Sequence, residues 1–377
     1  MNRTPLYEAH RAQKAKLADF AGWEMPIQYS GVIDEYHAVQ SRAGLFDVSH
    51  MGRITVEGVA ALPFLQRVTT NDVAKVEVLH SQYSMVCNPN GGVKDDIFLY
   101  RLGSQKFFLC VNASNREKIV TWLRQQQEEG QEELELCDSS TDMAQFALQG
   151  PVSKAILSEL VGSDIESLKP RGCLDTELCG IPTLLTRTGY TGELGYELYM
   201  PSEHALQVWN SFGESGAVHG MELVGLGARD LLRLEMGYFL YGNELNEENT
   251  PLEAGAGWVV SFEKGPFVGQ SALQSQKEKG VTRRLVAFEL LEKAVPRHGM
   301  KLFVNDKEVG EVTSGNLSPI LQKGIGMGYV QASFADVDSS IQVNLRGRSI
   351  PARIVKAPFY KKPKPRIEGD SAVGSTS

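Results

Sequence analysis

Residues 91–96, GGVKDD, place two adjacent carboxylates at the entrance of an apolar run, IFLYRL. In an extended strand successive side chains point to opposite faces. Asp96 then shares a face with Lys94, Phe98 and Tyr100, and Asp95 with Ile97 and Leu99, so the two do not form a facing dyad. One of them meets a cleft, or both are a turn-exit pair that satisfies backbone N–H groups. The pattern does not choose between the two carboxylates. A second stretch, TGYTGELGYEL at 188–198, surrounds one tyrosine and one glutamate with Gly189, Gly192 and Gly195. Past the turn, Tyr196 and Leu198 face one way, and Glu197 and Tyr199 the other. A carboxylate there is either a solvated outer face or an acceptor for an amide-like ligand edge. A third, GLGARDLLRLE at 225–235, sets Arg229 and Arg233 on one helical face. They are either a charged face with internal pairs or cations at a helix start aimed at an anionic or carbonyl group.

Other chemistries are poorly served. Ser49 and His50 in FDVSHM are adjacent and cannot form a nucleophile–base pair in an extended chain, and no G-x-S-x-G elbow exists. Trp258, in GAGWVVSF, reads by type as core. The five cysteines, Cys87, Cys110, Cys137, Cys173 and Cys179, form no CxxC and read as buried free thiols of a reducing compartment. Seven histidines without paired spacing argue against a metal site. A formal net charge of −8 argues against bulk nucleic-acid binding. The start, MNRTPLYEAH, has no apolar signal region, and no window offers 18 uninterrupted apolar residues for a membrane span. The expectation is a cytoplasmic protein.

The elements that must position these residues are legible in outline. With 377 residues the chain is too long for one core. Strands are predicted at 53–58, 81–87, 95–102 and 106–112. SNREKIVTWLRQQQEEG follows as a helix, with a Ser114–Glu117 capping box and a stop at Gly130. AQFAL (144–148) leads into Gly150-Pro151 and a helix, SKAILSEL. Residues 183–200 read as a hairpin, and ALQVWNSFGESG and ARDLLRLEM as helices. From about residue 283, short strands at regular spacing predict a separate β module. The end, 361–377, is polar with Pro, Gly and Ser and reads as a disordered tail.

The motifs together carry a resemblance. ADFAGWEMP, RAGLFDVSHMG, TNDV, NPNGGVKDD, ALQGP, RTGYTGELGYE, GLGARD with LRLE and YGNEL, and TSGNLSP with APFY occur in one order. The chain resembles the aminomethyltransferases of the glycine cleavage system, the T-protein family, from about Thr4 to Tyr360. The resemblance implies an α+β fold, a three-domain, cloverleaf-like folate-binding transferase with a C-terminal β-barrel. Its domains would be 1–51 with 140–275, 52–139 and 283–360. It implies transfer of a one-carbon unit from the aminomethylated lipoyl arm of H protein to tetrahydrofolate, without metal or flavin, by a monomer or weak homodimer. By position the catalytic aspartate falls on Asp96, the pterin-binding glutamate on Glu197 and the arginine on Arg229. Tyr83, Tyr190, Trp258, Met51 and Asn112 match other cavity positions.

Family members usually carry an apolar residue where this chain has Lys94. Either Lys94 keeps Asp96 ionised or a local twist sends it to solvent, and the second is the expectation. Lys356, Lys361 and Lys362 are the candidate patch for H protein. The rival readings are a folate-dependent demethylase on the same scaffold and a folate-binding module without catalysis. A relative of the second kind would carry a KGCYxGQE-like motif near 243–258, and this chain has no cysteine there.

Overall fold

The computed structural model describes residues 1–361; the tail from 362, and Lys362 with it, lie outside them. Three sheet systems and a short N-terminal hairpin, Lys16–Phe20 with Trp23–Gln28, make up the β structure.

The first sheet has five strands in the order His80–Cys87, Val93–Arg101, Lys106–Val111, Gly52–Glu57 and Glu135–Asp138. Alternation along the strand Val93–Arg101 runs as the sequence requires. Ile97 and Leu99 enter a core with Phe64, Leu65, Ile119 and Leu123 from the helices Ala61–Val68 and Arg116–Gly130. Phe98 and Tyr100 turn the other way and pack with Phe108, Leu184 and Tyr199. That second face meets the next sheet.

The second sheet orders its six strands Cys173–Leu178, Ile181–Thr186, Gly195–Pro201, Met143–Gln149, Gly44–Asp47 and Glu222–Leu223. Its outer face sends Phe146, Leu148, Leu185 and Leu198 against the helices Ser153–Leu160 and Ala205–Val218. On its inner face the register aligns Leu184 with Tyr199, Tyr199 with Gln145 and Glu197 with Ala147. Tyr199 and Phe108 meet edge to face at 5.0 Å across the two sheets, and the hydroxyls of Tyr199 and Tyr100 lie 3.1 Å apart. The third system is a closed six-stranded barrel built from Arg283 to Val355, so its strands leave no free edge.

Several local expectations fail for identifiable reasons. No capping box forms at Ser114: a 3₁₀ turn, Ala113–Asn115, precedes the helix Arg116–Gly130, and Asn115 at its N-cap makes no capping bond. The Asn115 side chain goes instead to Asp95. Gly130 stays helical, and Gln131 takes the left-handed conformation (φ 51°) that ends the helix. The free cysteines are not all buried: Cys137 is exposed and Cys179 half-buried.

Candidate functional site

The glycine-rich turn after Thr186 is shaped by one side chain. Gln149, fully buried, donates to the carbonyls of Thr188 and Tyr196 and accepts from Thr191. A Cβ at Gly189 or Gly195 would stand 2.0 or 2.2 Å from that amide, so both positions need glycine for close approach. The wrap carries Glu197 onto the inner face. Thr188 Oγ1 donates to Glu197 Oε2 at 2.5 Å and Gln145 Nε2 to Oε1 at 3.2 Å.

The helix Leu226–Glu235 stands beside this carboxylate and separates its two arginines. Arg233 is buried and fully engaged, with Asp230, the carbonyl of Tyr238, Glu244 and Ser314. The internal pair expected of a charged face is therefore present, Arg233 with Asp230, with the arginine buried and the aspartate side chain 44 % exposed. Arg229 behaves differently. Its guanidinium carbon lies 4.7 Å from the centre of the Tyr190 ring, and its Nη1 is buried without a partner. Burial pulls its pKa down while the charge of Glu197 pushes it up. His50, 2 % exposed, is held neutral by burial and then by the Arg229 charge, its pKa pushed down to about 3.

The other end of the site is the aspartate strand. Tyr83 donates its hydroxyl to Asp96 Oδ2 at 2.8 Å. Trp258 stacks on Tyr83 at 5.7 Å and 26° and is 61 % exposed, so it is a rim residue and not core. Asp95 and Asp96 leave the strand on opposite sides, as alternation demands, yet one side chain joins them. Asn112 Nδ2 lies 2.8 Å from Asp95 Oδ1 and 2.9 Å from Asp96 Oδ1. Burial raises the proton affinity of Asp96 to a pKa of about 6, against the hydrogen bonds from Tyr83 and Asn112 that lower it.

Lys94 takes neither route foreseen for it. Its ammonium pairs with Glu247 at 3.1 Å and lies 4.6 Å from the Trp122 ring centre. Its side chain is only 13 % exposed. The backbone of Glu247 crosses directly over the strand entrance, where a Cβ on Gly92 would fall 1.8 Å from its carbonyl oxygen. Lys94 and Trp122 also wall a surface cleft of about 320 Å³, and a second cleft, about 430 Å³, is lined by Asp142, Asp175 and Tyr199. Neither is lined by Asp96 or Arg229.

Two residues tie the ends together. Tyr190 is half-buried, stacks on Tyr238 at 5.8 Å and donates to the carbonyl of Phe239. Burial raises its pKa, and the charges of Arg233, Asp96, Arg229 and Glu244 all act on its hydroxyl. Met51 packs both against the cluster holding Ala228 and Leu231 of the arginine helix and against the one holding Tyr100 and Phe108. Thus Asp96, Tyr83, Trp258 and Asn112 gather at one end, Glu197 and Arg229 at the other, with Tyr190 and Met51 between. Sequence reasoning missed Gln145, Thr188, Asn115 and Glu244. Thr188 lay inside a motif already singled out, and Gln145 shares the alternation of its strand. Glu244 lay inside the YGNEL motif, but nothing local assigned it a partner. Among the described residues no group of His, Cys, Asp or Glu is arranged to hold a metal ion.

Residues 6–264 match the family model described as the GCVT N-terminal domain, and residues 283–361 that of the glycine cleavage T-protein C-terminal barrel domain. An aminomethyltransferase of Desulfitobacterium hafniense is 47 % identical over 362 residues, 96 % of this chain and 99 % of that protein. One of Halothermothrix orenii is 46 % identical over 359 residues, 95 % of this chain and 100 % of its own. The crystal structure of the glycine cleavage system aminomethyltransferase T from Bartonella henselae superposes with a TM-score of 0.89 at 33 % identity, covering 95 % and 98 % of the two chains.

Proposed function

The chain belongs to the T-protein family, the aminomethyltransferases of the glycine cleavage system, and from that premise we propose how its residues divide the work. The enzyme takes the one-carbon unit from the aminomethylated lipoyl arm of H protein to tetrahydrofolate, giving 5,10-methylenetetrahydrofolate and ammonia. Tetrahydrofolate supplies the amine nitrogens that accept the carbon.

The observation that carries the assignment of the pterin end is the orphaned, buried Nη1 of Arg229 beside the Glu197 carboxylate. A donor next to an acceptor is what the amide-like edge of a pterin requires. An unpaired buried donor is costly unless a ligand or water meets it. We assign Glu197 and Arg229 to that edge, Tyr190 and Met51 to the ring faces, and Tyr83, Trp258 and Asn112 to the opposite end. Asp96 is the catalytic residue. Its raised proton affinity lets it hold or release a proton near neutral pH, and the Tyr83 hydroxyl fixes the carboxylate's orientation. It orients the acceptor amine and assists the departing amino group, with positioning and electrostatics supplying most of the rate.

The domain division 1–51 with 140–275, 52–139 and 283–360 is supported by the strands themselves. The five-stranded sheet draws on residues between Gly52 and Asp138, and the barrel on those between Arg283 and Val355. For H protein we propose the exposed Lys356 and Lys361 as part of the docking surface; charge reversal there raises the KM for H protein, and an unchanged KM removes the patch. A cytoplasmic setting and a monomer or weak homodimer complete the proposal. The deciding experiment is ammonia release from aminomethylated H protein with and without tetrahydrofolate. Folate-dependent release supports the reading. No release while folate still binds moves the assignment to the demethylase alternative.

A further inference from the structure

Asp95 has no part in the reaction as divided above, yet it is fully buried and held by three N–H donors. They are Asn112 N at 3.0 Å, Asn112 Nδ2 at 2.8 Å and Asn115 Nδ2 at 2.6 Å. Its Oδ2 takes only the first of these and keeps a free lone pair. The same Asn112 Nδ2 also reaches the side chain of Asp96 at 2.9 Å and its carbonyl at 3.1 Å. That nitrogen has two hydrogens for three acceptors, so a change at one carboxylate is transmitted to the other.

The groups facing the pair offer no countercharge. Tyr83 donates to Asp96. Tyr190, Tyr241 and Glu244 are its other titratable neighbours. Lys94 is turned to Glu247 and Arg233 to Glu244. Among the described residues no lysine or arginine bonds either aspartate. A fully buried carboxylate and a half-buried one that share a single amide disfavour simultaneous charge. Burial, and then the charge of Asp96, push Asp95 up to about 8, while Asp96 stands at about 6.

We propose that Asp95 is a positioning residue that works through Asn112, keeping the carboxylate pair singly charged so that Asp96 can be anionic without a like charge beside it. The inference rests on Asp96 being the reacting carboxylate. The pair titrates as one unit, with Asp95 responsible for its upper step.

The test is the pH dependence of ammonia release for wild type, Asp95→Asn and Asn115→Ala, beside NMR titration of ¹³Cγ-labelled aspartates in the same proteins. Asp95→Asn is expected to lose the upper step and keep the lower one. Asn115→Ala removes a donor that favours charged Asp95, so its upper step moves to higher pH. A rate lowered evenly at every pH, with both steps intact, would overturn the proposal and leave Asp95 a structural residue. If wild type releases no ammonia, the reaction assignment falls while the NMR titration still decides for the pair. Stability gives a third readout. The folded-state pKa of Asp95 lies above the unfolded 3.8, so its contribution is present below that value and lost as pH rises through about 8. The Tm of Asp95→Asn relative to wild type therefore rises between pH 5 and pH 9; a constant difference counts against the proposal.

Discussion

The site contains two carboxylates in opposite circumstances. Glu197 sits beside a guanidinium and accepts from Thr188 and Gln145. Asp96 has a second carboxylate one amide away and, among the described residues, no cation bonded to it. The first arrangement sets an acceptor among donors and suits recognition. The second makes charge conditional on pH and suits proton movement. On the proposed division of roles, chemistry and binding are separated by what surrounds a side chain, not by its type.

Substitutions can break this contrast. The largest effect belongs to Asp96→Asn, which should lower folate-dependent ammonia release about 100- to 10,000-fold while folate affinity moves little; a loss confined to affinity would erase the distinction between the ends. Glu197→Gln should do the reverse. It should weaken tetrahydrofolate binding by about 1.5–3 kcal/mol, read by fluorescence titration, with turnover at saturating folate largely kept. A collapse of kcat instead would place chemistry at both ends. Trp258→Ala removes an exposed ring stacked on Tyr83 and should cost about 0.5–1.5 kcal/mol of folate affinity, seen as a higher KM with Tm unchanged. The smallest effect is expected from Lys94→Ile. Its ion pair with Glu247 contributes about 0–1 kcal/mol, and turnover should stay within about threefold of wild type. A tenfold loss would show that Lys94 acts on Asp96 after all.

How much of this was written locally in the chain differs from residue to residue. Strand alternation alone separated Asp95 from Asp96 and put Glu197 opposite Tyr196, because a period of two is a property of the extended backbone. It could not reveal that Asn112 would bridge the two aspartates. Nor could the Ser114–Glu117 spacing show that Asn115 serves Asp95 in place of the helix end. Lys94 was misjudged for a related reason. Its partner Glu247 lies 153 residues away, and contacts at that range are set by how the units dock. Trp258 reads as core by composition, but its position on Tyr83 at the rim is a tertiary fact. The fold was more legible than the site because periodicity is repeated along whole elements, whereas each site contact occurs once.

The buried pair Arg233–Glu244 has a consequence for anyone exchanging parts of this enzyme. Arg233 sits one turn beyond Arg229 and donates to Ser314 of the barrel at 2.8 Å. Glu244 accepts from Thr313 at 2.6 Å, and its carbonyl accepts from Tyr329 at 2.8 Å. Three barrel side chains therefore finish a network that begins on the helix carrying Arg229. A chimera that borrows its C-terminal module from another protein must bring hydroxyls at 313, 314 and 329, or it leaves hydrogen-bonding groups of the ion pair unmet in the seam. The barrel is a separable unit of folding topology but not an interchangeable one.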